Sequence, residues 1–302
     1  MYRYLSTIVL AAALSAAAAL GVEPDGGSGV PATSGNPASW TSLWNGRDLS
    51  GWSTWMSKPQ PTSEVPGLAR SADGKYTEVI GSGRDPLKVF TVTTADGQPA
   101  IRISGEVFGE IRTEQSFQNY RLRLQFKWGK LKWPPRNKPE IPRDSGLLYH
   151  VHGAPGAEDR VWSRSFEFQI QEHDVGDLYA VGSVIAVRST VRPGGSARHP
   201  QFDYDPAGEW HDFSQVPGSD GRCIKQPDNE KPSGEWNDLE LVCFGEDCIH
   251  IVNGKVVMRL HNPRRIDRTP PESVTLGPIM LQSEGSEVYY RAIAWRPITA
   301  LP

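Results

Sequence analysis

Cysteine is scarce in this chain. Its 302 residues hold three, Cys223, Cys243 and Cys248. No pair of them has zinc spacing with a histidine partner, so a structural zinc site is not expected. Cys243 and Cys248 flank Phe-Gly-Glu-Asp, a stretch fit for a hairpin turn, and are expected to face each other as a disulfide. Cys223 with either one is the alternative, and an odd count leaves one thiol free. Charge of one sign is also scarce. The formal net charge is −3, so no strong field favours nucleic acid or an anionic membrane. No nucleotide cofactor is expected.

Long apolar runs are missing after the first residues. MYRYLSTIVLAAALSAAAALG has one Arg and then a small-apolar run of about 16 residues, where a membrane span needs about 20. Residues 1–21 therefore read as a secretory signal peptide and not an anchor. The Gly/Pro/Ser-rich residues 22–38 read as a flexible linker, and 39–302 as one domain. The expected location is periplasmic or extracellular, without stable membrane insertion.

Helical periodicity is nearly absent as well, and strand alternation takes its place. YRLRLQFKW (120–128) puts Tyr120, Leu122, Leu124, Phe126 and Trp128 on one face. SGLLYHVHG (145–153) carries His150 and His152 on one face. WNDLELVCF and CIHIVNGKVVMRL read as successive hairpins, with Asn253-Gly254 as a turn. IMLQSEG (279–285) and VYYRAIAW (288–295) are expected to form a last hairpin. Strands in series without crossover helices predict an all-β, two-sheet antiparallel jelly-roll sandwich. Two long irregular stretches, 129–144 and 191–235, are of a length that compact domains usually keep for function.

FEFQIQ (166–171) is the most informative strand. Phe166, Phe168 and Ile170 make one face, and Glu167, Gln169 and Gln171 the other. Glu172, His173, Asp174 and Asp177 follow at its end. A merely solvated face is served by shorter or cationic side chains, whereas a sugar calls for carboxylates and amides. Trp and Tyr, each with an apolar ring and a polar handle, suit the same ligand. Glu167-x-Gln169-x-x-Glu172 is similar to the Glu-x-Asp-x-x-Glu motif of jelly-roll retaining glucanases, but Gln169 replaces the central Asp. Glu172 also lies five residues from Glu167, on the opposite face of a straight strand unless a bulge returns it.

A wider resemblance covers nearly all of 39–302. SLWNGRDLSGW (42–52), YRLRLQFKW, RDSGLLYHVHG, FEFQIQEHD, GDLY, EWND and IMLQSEGSEVYYRAI resemble, in order, motifs of the 3-keto-disaccharide hydrolase domain family, which is similar to concanavalin A-like lectins and glucanases. That resemblance implies a carbohydrate partner already oxidised at C3. Such a ketone acidifies the C2 proton. A base removes it, the C1–O bond breaks by elimination, and water can add back. Glu167, Glu172 and His173 are the candidate acid and base groups. Arg112, Arg291 or a metal are candidates to stabilise the enolate. Asp144, Tyr149, His150, Gln169, Gln171, Asp177, Tyr179 and Gln282 complete the expected substrate-binding set. His150 and His152 with Glu167 are a candidate metal set, so a divalent metal stays open. So do the aglycone, the linkage and the oligomeric state. The competing reading is a non-catalytic, lectin-like module of the same fold.

Overall fold

The computed structural model describes residues 39–193, 200–215 and 221–302. The expected signal peptide and linker lie outside them. The described residues are almost entirely strand, and their one helix is a three-residue 3-10 turn, Ala157–Asp159. None of their helices is long and apolar enough to cross a membrane.

Two antiparallel sheets make the sandwich expected from the alternation. The larger has twelve strands. Its centre runs Lys255–Arg265, Asp247–Val252, Asn237–Phe244, Tyr120–Lys132, Ser286–Pro297 and Gln98–Ile103. The smaller has eight, in the order Arg222–Cys223, Leu178–Val181, Arg164–Gln171, Asp144–His152, Met280–Ser283, Gly109–Thr113, Trp52–Met56 and Gly81–Ser82. Tyr120, Leu122, Leu124 and Phe126 from the large sheet share one core with Phe166, Phe168 and Ile170 from the small one. Burial of each such side chain contributes about 1.5–3 kcal/mol, so the sequence's period-2 pattern fixes which face turns inward. The Asn253-Gly254 turn forms as expected. Both residues have positive φ, 48° and 80°, as a two-residue turn between Val252 and Lys255 requires.

Two expectations fail here. Met280–Ser283 and Ser286–Pro297 are not a hairpin. The first pairs within the small sheet and the second within the large one, so the chain crosses between sheets at Glu284-Gly285. Gly285, at φ 75°, supports this change of direction. Cys243 and Cys248 do sit directly opposite one another, but all three cysteines are free thiols and no disulfide joins them.

Candidate functional site

The outer face of the small sheet carries a lattice of polar side chains. Its rows follow from register. Gln171 lies opposite Asp144, Gln169 opposite Gly146, and Glu167 opposite Leu148 on one side and Tyr179 on the other. On the next strand Met280 pairs with Leu148, which places Gln282 and then Glu284 along the same edge. Asp144, Glu167, Gln169, Gln171, Tyr179, Gln282 and Glu284, with Arg136, Arg160, Val161, Trp162, Val181 and Gln215, line a hollow of about 400 Å³. That volume lies in the usual range for small-ligand sites.

Gly146 shapes the floor. A Cβ there would lie 2.4 Å from Glu167 Oε1 and 2.5 Å from Gln282 Oε1. Only a residue without a side chain lets the two groups close over the backbone. Across the floor, Arg136 donates to the Asp144 carboxylate and, at 2.6 Å, to Glu284 Oε1. Gln171 Nε2 donates to Asp144 Oδ2 at 2.6 Å. Glu167 Oε1, Gln282 Oε1 and Asp144 Oδ1 are buried and find no protein partner. Trp162, fixed by its Nε1 donating to the Gly109 carbonyl at 3.1 Å, and Val181 supply an apolar wall.

Two carboxylates, Asp144 and Glu284, therefore share the Arg136 guanidinium, and Glu167 lies close to both without an ion pair to it. Burial, then the neighbouring Glu284 and Asp144, push Glu167 well above the usual carboxylate range. Burial and Glu284 raise Asp144 in the same way, and burial raises Glu284 against the pull of Arg136. Burial raises the Tyr179 hydroxyl above its ordinary value. Like charges this close cannot all ionise, so the site holds at least one proton that ordinary surface carboxylates would have released.

Among the sequence candidates, Asp144, Glu167, Gln169, Gln171, Tyr179 and Gln282 gather in this hollow. The others lie elsewhere. Glu172 turns to Arg143, accepting from its backbone N–H and from Nη1, both at 2.8 Å. Burial opposes its ionisation, but hydrogen bonds from Arg143 and Ser233 hold it below the usual range. His173 is exposed at φ 75°, with its N–H donating to Glu230. The strand ends after Gln171, and no bulge returns either residue to the groove face. Asp177 is fully buried and accepts from Arg222 and the Lys225 backbone. Burial lifts its carboxyl to about 6 despite those cations. Tyr149 points into the core and bonds His250 Nε2 at 3.1 Å. Arg291 lies on the outer face of the large sheet, 3.7 Å above the Trp236 ring. Arg112 shares the groove face but lies outside the hollow, opposite Met280 and beside Glu110.

The candidate metal set also separates. His150 turns inward to within 3.6 Å of Cys248 Sγ, while Glu167 faces outward. His152 bonds the His150 carbonyl through Nδ1 at 2.9 Å. A register shift between Tyr149 and His152, with His150 at φ 49°, turns His150 off the face that simple alternation assigned to it.

Arg136 and Glu284 escaped the residue-by-residue reading. Signals for both existed. Arg136 sits in the long Pro-rich stretch 129–144, and Glu284 lies two positions after Gln282, on the same face of an extended strand.

Another hollow, of about 520 Å³, lies on the large sheet's outer face among Arg123, Gln125, Lys231 and Asp238. Its polar groups satisfy one another: Gln125 donates to Asp238 at 2.7 Å and Lys231 Nζ lies 3.6 Å from the same carboxylate. The smaller hollow, with its unpartnered acids, is the better candidate.

Comparison with known proteins adds a family. A search of curated proteins gave no match. Solved structures similar to this chain include a "putative glycosyl hydrolase" of Parabacteroides distasonis ATCC 8503, at 18% identity over 86% of this chain and 94% of that one, with TM-score 0.47. The carbohydrate-binding module CBM66 of Bacillus subtilis is similar at 9% identity over 68% and 91%, with TM-score 0.37. The family described as 3-keto-alpha-glucoside-1,2-lyase-like domain matches residues 39–296, nearly the whole described chain, and this protein belongs to that family.

Proposed function

We propose that the protein is a carbohydrate-active enzyme that cleaves 3-keto-glycosides at the hollow around Glu167. The observation that carries the reading is a buried carboxylate with an unpartnered oxygen, in a hollow that also holds a guanidinium and an apolar wall. Glu167 is the base. Its raised proton affinity makes it stronger than a solvated glutamate. It takes the C2 proton, and the electron pair moves into an enolate whose oxygen is the former C3 carbonyl. Arg136, braced by Asp144 and Glu284, supplies positive charge to that oxygen. The enolate then re-forms the carbonyl, a C1–C2 double bond forms, and the C1–O bond breaks. A protonated carboxyl of the Asp144–Glu284 pair gives its proton to the leaving oxygen. Water adding across the double bond completes hydrolysis, and omitting that step leaves a lyase product.

The test is turnover of paired glycosides, with and without oxidation at C3, followed by mass spectrometry and by loss of the C2 hydrogen in deuterated water. Cleavage of the 3-keto forms with C2 exchange is expected. Cleavage of unoxidised glycosides at equal rate would overturn the reading. Tight binding without turnover would instead favour the lectin-like reading, for which Trp162 and Tyr179 beside the amides are the supporting feature. We further propose export of the chain after removal of its apolar start, so intact mass of the secreted protein should show loss of about 19–25 residues.

A further inference from the structure

We propose that His150, Cys243 and Cys248 form a closed zinc site between the two sheets, separate from the sugar hollow. Their donor atoms all lie within 4.8 Å of one another, and the three side chains are buried. Cys243 and Cys248 come from neighbouring strands of the large sheet and His150 from the small sheet, so the cluster bridges the sandwich.

The dimensions fit. With zinc–sulfur and zinc–nitrogen bonds of about 2.3 and 2.0–2.1 Å, tetrahedral ligands stand about 3.6 Å apart for N···S and about 3.8 Å for S···S. His150 Nε2 is already 3.6 Å from Cys248 Sγ. The loosest separation consistent with the cluster closes by about 1 Å. A thiol–imidazole hydrogen bond has the same length, so distance alone does not choose between a metal and a metal-free core.

Three further features favour the metal. His150 reaches the cluster only through a strand irregularity and a left-handed φ of 49°. Only a few per cent of non-glycine residues adopt such a conformation, histidine being one of the more tolerant, and bulges of this kind re-aim a side chain. The Tyr120 hydroxyl, buried in this apolar interior, lies against the Cys243 thiol. Tyr120 lies directly opposite Cys243 in register, so its hydroxyl is the candidate fourth donor. Finally, two thiolates and a neutral imidazole cancel the charge of a divalent cation, as a site without solvent requires. The absence of zinc spacing in the sequence does not count against the site, because the third ligand comes from a strand nearly a hundred residues away.

The decisive measurement uses the full chain, purified after expression with zinc. Metal analysis should give close to one zinc per chain, resistant to chelator until the protein is unfolded. Refolding with cobalt should produce thiolate-to-cobalt charge-transfer bands of a tetrahedral site. Cys243→Ala with Cys248→Ala should abolish both signals while circular dichroism stays that of a β-sandwich. Zinc below about a tenth of an equivalent together with no cobalt charge-transfer bands would overturn the proposal. So would a Cys243–Cys248 disulfide in the isolated protein, or full zinc retention in the folded double variant. If the double variant fails to fold, the stoichiometry and the cobalt spectrum of the unaltered chain decide alone.

Discussion

The outer faces of the two sheets are both polar, and they are polar in different ways. On the large sheet, Lys127 donates to Asp96, Gln125 to Asp238, and Arg121 to Glu240, and Arg291 donates to Gln125 while covering Trp236. Each of these charges has a neighbour of opposite sign, an amide or an aromatic ring, and Asp96 is held below the usual carboxylate range by its hydrogen bond from Lys127. On the small sheet the acids outnumber the cations, three carboxylates to one Arg136 at the floor, and their proton affinity is raised. A satisfied polar face serves solubility. A buried face with unpaired oxygens costs folding free energy, and its retention points to a ligand.

The comparison breaks most sharply at Glu167. Glu167→Gln preserves shape but removes the ionisable group, and turnover of a 3-keto-glycoside should fall by about 10²-fold or more. Unchanged turnover would reduce the small sheet's face to the same rank as the large one's. Next in size is Gly146→Ala. The added methyl meets Glu167 and Gln282 oxygens at 2.4–2.5 Å, so stability should drop by about 1–3 kcal/mol and kcat should fall with it. A variant with normal kcat would show that the floor geometry is not needed.

A smaller effect concerns pH. Because the folded state raises Glu167, it binds the proton more tightly than the unfolded chain does. Stability from this group is therefore fully present below about pH 4, near the unfolded carboxyl's ordinary value, and is lost as pH rises through the higher folded value. Glu167→Gln should accordingly look more stable than the parent at pH 8 and equal to it at pH 4. Melting curves at both pH values check this, and an equal difference at both would mean that Glu167 is ionised without penalty. The smallest effect is expected on the large sheet. Arg291→Ala should leave turnover unchanged and cost at most about 1 kcal/mol, since it loses only a part-buried bond to Gln125 and the stacking on Trp236. A marked loss of kcat there would move the site to the wrong sheet.

Much of the fold is legible because strand alternation is a local code. Phe166, Phe168 and Ile170 turn in and Glu167, Gln169 and Gln171 turn out, as a two-residue period demands. That same code misplaces His150, because a backbone irregularity is invisible to a pattern that assumes a straight strand. It misses the crossing at Glu284-Gly285 for a related reason: two adjacent strands read alike whether they pair with each other or join opposite sheets.

By itself, then, the sequence determined the all-β class, the inward and outward faces of the central strands, the Asn253-Gly254 turn and the family resemblance. These depend on neighbours a few residues apart. Only the tertiary structure decided which acids meet. Arg136 and Glu284 are 148 positions apart and join at 2.6 Å, while Glu172, five residues from Glu167, turns away to Arg143. The physical reason is that a side chain's charge state and partners are set by what the folded sheets bring within a few ångströms, and sheet register, not sequence distance, controls that approach.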